Sequence, residues 1–562
     1  MSLTKATYSM IQGAPVNVLD YGADSTGSTD STAAIQAALN AITTGGQVVF
    51  PPGTYLVLGS GYLLQPKSNT TLVGTRGASI IRLSSASAAA SIFGISTTVS
   101  NLVFDGLTLD GNSGVVTAYD TFGLQFPYVG DITVNNCIFQ NFKRDGMLLG
   151  LATRVDRLTV DSCNFSNIVY NGVRTYNARM QYINNCRFFD FITSPLDFNP
   201  IATENLETTT IVTNNYFSNN SGSWTAGNST LSLMGDRNYV AGNTIVGGGM
   251  IVVHAGPFGR SGIKDYRIIG NSIQNTVTAG IIVNTDVNTD IVVSNNYIRG
   301  AARSGIQVLS DTAPPYSTNT PVIVSNNIIE DTSSATYTNT NQPACIMAAQ
   351  TSNVLITGNQ CITPRWAGIA MLSGANNCTV QGNTIIGQKG QAPTDLLTNV
   401  GGGIVVSASG VSYSEDVYNI TINGNFVYNF LTTVSPATTN LRTGGITAYN
   451  DTSGAKSVEY ITITNNVVRD GNGIAIQTYF LENSTVDGNT VWNSNGDIVD
   501  TSSTTLLANA TTGLYSAAPT TGTWKRGTVI YNSAPSAAGF VGWVCTTAGT
   551  PGTWKTFGAI SA

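Results

Sequence analysis

Histidine is nearly absent from this chain, one residue in 562. Seven cysteines are present, an odd number with no C-x-x-C pair. Structural zinc and a disulfide framework are therefore not expected. Charge is just as scarce. Only 10% of residues are Asp, Glu, Lys or Arg, against roughly 25% in ordinary soluble domains. Exposed helices normally carry those residues, so a mainly helical protein is excluded and the surface must be built from Asn, Thr, Ser and Gly. With 31 acidic and 25 basic residues the formal charge is −6, which leaves no basic footprint for nucleic acid or an anionic membrane. No stretch approaches the ~20 apolar residues of a membrane span. Residues 1–15 hold one Lys and no apolar run of signal-peptide length, so the expectation is cytoplasmic synthesis without Sec-type export and no membrane insertion. No cofactor or metal is expected.

Apolar residues make up 42% of the chain. That is enough for a core, yet 562 residues exceed what one compact core holds and nothing reads as a linker between globular domains. An elongated, repetitive architecture resolves the conflict.

The N-terminal region predicts a short strand at Val16 and Val18, a turn over Asp20–Asp24, and a helix capped by Asp30 or Ser31. Ile35, Ala38, Leu39 and Ile42 fall on one helical stripe, and Gly45-Gly46 precedes a strand at Gln47–Phe50. The segments V-N-V-L-D-Y-G-A-D, T-D-S-T-A-A-I-Q-A-A-L and G-G-Q-V-V-F-P-P-G-T-Y are similar to the N-terminal cap of the pectate-lyase superfamily. In that family a helix plugs the open end of a right-handed parallel β-helix. The upstream A-T-Y-S-M-I-Q-G-A-P resembles the lead-in of phage tail proteins of this family.

Beyond residue 100 one pattern recurs: apolar, any, Asn/Gly/Ser, then Asn or Cys, any, apolar. It reads V-N-N-C-I-F at Val134, V-D-S-C-N-F at Val160, I-N-N-C-R-F at Ile183, V-T-N-N-Y-F at Val212, V-A-G-N-T-I at Val240 and I-I-G-N-S-I at Ile268. It returns at Val293, Val324, Ile356, Val380, Ile422, Ile463 and Val486. The mean step is about 29 residues, a solenoid period with one coil per repeat. The fourth position stacks at the ~4.8 Å strand spacing, where Asn satisfies neighbouring amides and tolerates left-handed backbone. Cys137, Cys163 and Cys186 share that position and are expected as a reduced thiol stack. A second strand after the bend reads small, apolar, any, apolar, as in Gly280-Ile281, Gly305-Ile306, Gly368-Ile369, Gly403-Ile404 and Gly473-Ile474. Steps lengthen to 42 and 41 residues between Asn383 and Asn466, and long insertions on one side of a solenoid build a binding face.

Stacking turns equal offsets into columns. Five residues past the first inward residue of that second strand stand Asp236, Asp286 and Asp311, with Asp451 further on, and the lone His254 falls between the first two. Arg237, Arg260, Lys264 and Arg303 lie near in sequence. Paired carboxylates cleave glycosides at separations of ~5–5.5 Å with retention or ~6.5–9.5 Å with inversion. Asp286 and Asp311 on adjacent coils would start about 5 Å apart and Asp236 about 10 Å from Asp286. The three Asp residues are the catalytic candidates, with His254 and Arg237 as substrate contacts and Arg260 and Lys264 holding an acidic sugar. Solvated Asp at strand ends is the bland alternative. A second candidate group, Asp197, Glu204 and Glu207, follows Leu196 in what reads first as a charged, solvated loop, and Tyr170, Arg174 and Tyr176 are expected either to extend a saccharide groove or to pack between subunits. Asn284-Thr285-Asp286 resembles the N-T-D motif of polygalacturonases, but His254 lacks that family's Gly-His-Gly setting, which disfavours pectin hydrolysis.

After Val499 the repeat stops, and G-T-W-K-R-G, G-F-V-G-W-V-C and G-T-W-K-T-F-G resemble a small C-terminal β-module of phage tail proteins, with Trp524, Trp543 and Trp554 as packing anchors. The expected organisation is a lead-in at 1–15, cap and first coils at 16–100, β-helix body at 101–500 and C-terminal module at 501–562. The fold class is all-β. The resemblance implies a homotrimeric phage tailspike on the virion tail, joined to a tail or baseplate protein, that recognises and depolymerises a bacterial surface polysaccharide by endo-glycosidic hydrolysis. A lyase on the same fold and a non-catalytic binding spike stay open as alternatives.

Overall fold

Asp24 organises the start of the chain: its carboxylate accepts from the backbone amides of Thr26 (2.8 Å), Ser28 (3.1 Å) and Thr29 (2.8 Å) and from the hydroxyls of Thr26 and Thr29. Those donors, Thr26 foremost, hold it well below the ordinary carboxylate range. The turn leads into the helix Thr32–Ala41. Asp30, rather than Ser31, accepts from the Thr32 amide at 3.0 Å. Ile35, Ala38 and Leu39 are buried, and Ile42, just past the helix, is buried in extended conformation. Lys67 Nζ closes the helix C-terminus by donating to the carbonyls of Asn40 and Ile42 at 2.8 and 2.9 Å.

The computed structural model describes residues 14–562 except 153, 200–207, 220–228, 254–262, 286–287, 311–320, 333–343, 388–399, 409–414, 431–441, 450–455, 472–473, 480, 493–495, 501–505, 509–513, 521–523 and 525. Two compact units divide the chain, Met1–Ser272 and Ile273–Ala562. Each is a parallel β-helix wound through three parallel sheets, and a four-stranded sheet with antiparallel pairing closes the C-terminal region. The first residues of the repeat pair coil to coil: Val134, Val160, Ile183, Val212, Val240 and Ile268 in the first unit, and Val293, Val324, Ile356, Val380, Ile422, Ile463 and Val486 in the second.

The bend after this strand works differently from the sequence expectation in one respect. The left-handed residue is the third of the motif, not the fourth. Asn136, Ser162, Asn185, Asn214, Gly242, Gly270, Asn295, Asn326, Gly358, Gly382, Gly424, Asn465 and Gly488 all have φ between +51° and +65°. Asn and Gly tolerate that region best, which explains the composition there. The fourth residue turns inward and builds a ladder. Asn327 shows the pattern: its Oδ1 accepts from Asn296 N and Nδ2, both at 2.9 Å, while its own Nδ2 donates to Val293 O and to Asn359 Oδ1 at 2.9 Å each. The same bonds run from Asn359 through Asn383, Asn425 and Asn466 to Asn489, and from Asn215 through Asn243 to Asn271. Cys137, Cys163 and Cys186 continue that column as buried free thiols, as expected from the sequence, with Cys186 N donating to Asn215 Oδ1 at 2.8 Å.

The strand directly after the bend forms the second sheet, so the Gly-led strand of the repeat is the third of its coil, not the second. Phe139, Phe165, Phe188 and Phe217 point inward from the second sheet and stack face to face with centroids 4.8 Å apart. The small residue opening the third strand has a packing reason. A Cβ on Gly305 would stand 2.4 Å from Ile329 Cγ2, and one on Gly403 2.3 Å from Val427 Cγ1. In the last of these coils the column is shifted by two residues. Ile476, not Ile474, pairs with Ile446, while Gly473 lies outside the described residues. In the C-terminal sheet Trp524 and Trp543 are buried, and Trp524 meets Trp554 edge-on at 5.1 Å. Among the described residues no helix is long and apolar enough to cross a membrane.

Replacing Asn327 with Ala strands two donors of Asn296 and the Val293 carbonyl in a dry column, so Asn327→Ala should destabilise the protein by about 3 kcal/mol, read from denaturant unfolding. An unchanged midpoint would show that the ladder does not stabilise the coil.

Candidate functional site

On the outer face of the third sheet of the first unit, Leu148, Arg174 and Asp197 are successive backbone partners. Arg174 Nε lies 3.3 Å from Asp197 Oδ2, and the guanidinium stacks on Tyr176 with its Cζ 5.1 Å from the ring centre. One coil earlier, the corner Lys143-Arg144-Asp145-Gly146 delivers a second guanidinium. Gly146 opens the third strand on the inward side, which turns Asp145 beneath the corner. Arg144 Nη1 meets Asp120 Oδ1 at 2.5 Å, and its Cζ lies 5.5 Å from the Phe122 ring and 6.0 Å from the Tyr170 ring. Tyr170 N donates to Arg144 O at 3.0 Å, which registers the next coil, and Tyr119 stands edge-on to Tyr170 at 5.9 Å.

Asp145 lies under both arginines. Its side chain is 0% exposed, against 17% for Asp197, 22% for Arg174 and 34% for Arg144. Oδ1 accepts from Asn171 N at 3.0 Å; Oδ2 has no hydrogen-bond partner among the described residues, with Arg144 Nε 3.8 Å away. Burial pushes the carboxyl up to about 6, against the opposing pull of the Asn171 amide and the two guanidiniums. Burial also raises Tyr176, and the bond to Tyr170 raises Tyr119 to about 12. The result is two guanidiniums set over a buried carboxyl, flanked by aromatic rings and edged by the half-buried carboxylates of Asp120 and Asp197. Such a surface can hydrogen-bond hydroxyls and stack on sugar faces.

The structure thus gathers Arg174, Tyr176, Tyr170 and Asp197 from the sequence candidates and adds Asp120, Arg144 and Asp145, which sequence reasoning missed. An available signal was the Arg-Asp doublet immediately before a third-strand glycine, in a chain so poor in charge. Of the proposed Asp column, Asp236 is described. Its Oδ2 accepts from Thr208 N at 2.8 Å while its own N donates to Thr208 Oγ1 at 2.7 Å, a brace between adjacent coils. Arg237 is exposed beside it. Asp286, Asp311, Asp451, His254, Arg260, Glu204 and Glu207 lie outside the described residues, and Lys264 is described only as backbone of the strand Ile263–Ile269.

Residues 15–194 match the family described as rhamnogalacturonase A/epimerase, pectate lyase-like. That stretch contains Asp120, Arg144, Asp145, Tyr170, Arg174 and Tyr176. The class defined by the fold is a parallel β-helix, and residues 15–194 of it carry a pectate-lyase-like family match. Comparison with curated protein sequences gave no match. Among solved structures the chain is similar to a mutant tailspike protein of E. coli bacteriophage HK620 in complex with hexasaccharide, at 15% identity over 88% of this chain and 83% of that one, TM-score 0.47. It is also similar to the catalytic unit of the GH87 alpha-1,3-glucanase of Streptomyces thermodiastaticus, at 14% identity over 89% and 69%, TM-score 0.33. A third is the A-module of the Azotobacter vinelandii mannuronan C-5 epimerase AlgE6, at 16% identity over 89% and 100%, TM-score 0.27. At such identities no residue's role passes from these proteins to this chain.

Because Asp145 is raised above its ordinary 3.8, the native chain holds a proton that the unfolded chain releases between about pH 4 and 6. Stability then falls as pH rises through that window. Asp145→Asn removes the slope, so the variant should match the parent near pH 4 and gain on the order of 3 kcal/mol by pH 7, as measured by denaturant unfolding at both pH values. A variant less stable than the parent at pH 7 would mean that the carboxylate's pull on the guanidiniums outweighs its burial.

Proposed function

We propose that this chain is a phage tailspike that binds a bacterial capsular or surface polysaccharide and depolymerises it by endo-glycosidic hydrolysis. The observation that carries the reading is the Arg144–Arg174 pair, set over buried Asp145 and between Tyr170 and Tyr176, within the stretch that matches a family of polysaccharide-processing enzymes. The solved structures named above include a tailspike with a bound hexasaccharide. The proposal includes a virion-tail location, a homotrimer and a tail or baseplate partner.

Hydrolysis requires one carboxyl to protonate the leaving oxygen and a second carboxylate to activate water or attack carbon. Asp145 does not reach substrate; it is a positioning residue that sets both guanidiniums. Asp197, half-buried at the edge of the pair, is the described carboxylate best placed to act on a bound glycoside. Glu204 and Glu207 follow it in sequence, and Asp236, Asp286 and Asp311 form the alternative carboxylate set. Arg174 and Tyr176 bind sugar, as do Arg237, His254, Arg260 and Lys264 in the alternative site. A binding spike without cleavage is the second reading. One observation favours it: Asp120 and Asp197 each face an arginine at the site.

Incubation with a panel of bacterial capsular polysaccharides tests this directly. Falling viscosity with oligosaccharide products one water heavier supports hydrolysis, products carrying an unsaturated uronate mean a lyase, and retention without products means a binder. Asp197→Asn should slow cleavage by about 100-fold or more, while Arg174→Ala weakens retention. Full activity in Asp197→Asn together with loss in Asp236→Asn, Asp286→Asn or Asp311→Asn would move the catalytic centre to the other carboxylates.

A further inference from the structure

Every guanidinium at the Arg144–Arg174 surface already faces a carboxylate. Arg144 is opposed by Asp120 at 2.5 Å and by Asp145 at 3.8 Å, and Arg174 by Asp197 at 3.3 Å. With Lys143 beside Arg144, three positive charges stand against three acidic groups, and the surface is balanced while Asp145 is ionised. The coils that carry the site add no positive excess: residues 120–199 hold seven acidic and seven basic residues. An anionic sugar entering here would have to displace a carboxylate from its arginine and would still meet a surface without net positive charge.

The same geometry suits uncharged groups. Each guanidinium stacks on a ring, Arg174 on Tyr176 and Arg144 against Phe122 and Tyr170. The Nε of each is buried without a hydrogen-bond partner among the described residues, and each guanidinium carries four further N–H donors. Hydroxyl and amide oxygens accept from such donors without bringing charge, and the apolar faces of sugar rings cover the exposed faces of Tyr119, 53% exposed, and of half-buried Tyr170 and Tyr176.

Resting on the reading of this surface as a polysaccharide site, we infer that the sugar units seated at Arg144 and Arg174 are uncharged, and that the arginines serve as neutral-oxygen donors rather than as receptors for uronate, sialate or phosphate. The sequence-based expectation of an acidic sugar is tied to Arg260 and Lys264 and stands apart from this inference. Asp120 and Asp197 then act as specificity residues that turn polyanions away.

The test uses the full chain and the polysaccharide panel split into neutral and anionic members, with binding measured at low and at physiological salt. The retained polymer should be neutral, with affinity changing by less than about twofold between the two salts. Asp120→Asn uncovers Arg144 and should add retention of polygalacturonate oligomers, while the parent chain should retain none. A retained polymer with a carboxylate or phosphate in every repeat, whose affinity falls tenfold or more with salt, overturns the inference and leaves the polysaccharide function standing. Retention of no polymer at all overturns the polysaccharide reading and the inference with it.

Discussion

One side-chain amide per coil carries the body of this protein. A coil of about 29 residues must turn its backbone inward at a corner, where peptide groups leave the sheet ladders and water cannot reach them. The inward asparagine resolves this by donating in both directions along the stack and accepting from the coil before, so each amide is satisfied by its neighbours alone. Because every member depends on the next, the ladder fixes not only the bend but the vertical register of the coils. The thiols of Cys137, Cys163 and Cys186 occupy the same column, where the neighbouring N–H groups reach sulfur instead of oxygen.

Register, once fixed, decides what the outer faces can do. Arg174 and Asp197 are one strand spacing apart because their coils are locked in phase, and a slip of one residue would send one of them inward. The glycines at the third corner act on the other side of the same constraint. They let the third strand approach the second sheet closely enough that no side chain fits, and the residue just before Gly146, Asp145, is drawn under the surface. A buried carboxyl with a raised pKa is the local cost of that geometry. Above it a pair of guanidiniums is set over the sheet, one 3.8 Å from the buried carboxyl.

Much of the architecture was legible in the chain. The thirteen-fold motif, its inward apolar columns, the thiol stack and the helix with Ile35, Ala38 and Leu39 inward all follow from periodicities that report burial directly. Less legible was anything settled at corners. The left-handed residue is the third of the motif because the backbone must reverse there, while the hydrogen-bonding preference of Asn masks which of two adjacent positions does which task. Counting the Gly-led strand as second rather than third has the same origin, since a three-residue strand such as Tyr216–Ser218 leaves too short an alternation to stand out.

The candidate site divides along the same line. Tyr170, Arg174, Tyr176 and Asp197 could be singled out as polar or aromatic residues on outward positions, but Arg144 and Asp145 sit at a corner, where residue type says nothing of direction. By itself the sequence determined the coil, its period, its inward columns and the scarcity of charge that makes each ionisable group conspicuous. The tertiary structure alone decided that Asp145 goes under and Arg144 over, and that each arginine meets a carboxylate from its own or a neighbouring coil. The physical reason is that periodic patterns record how often a side chain is buried, while charge pairing and pKa depend on distances between coils that no single repeat contains.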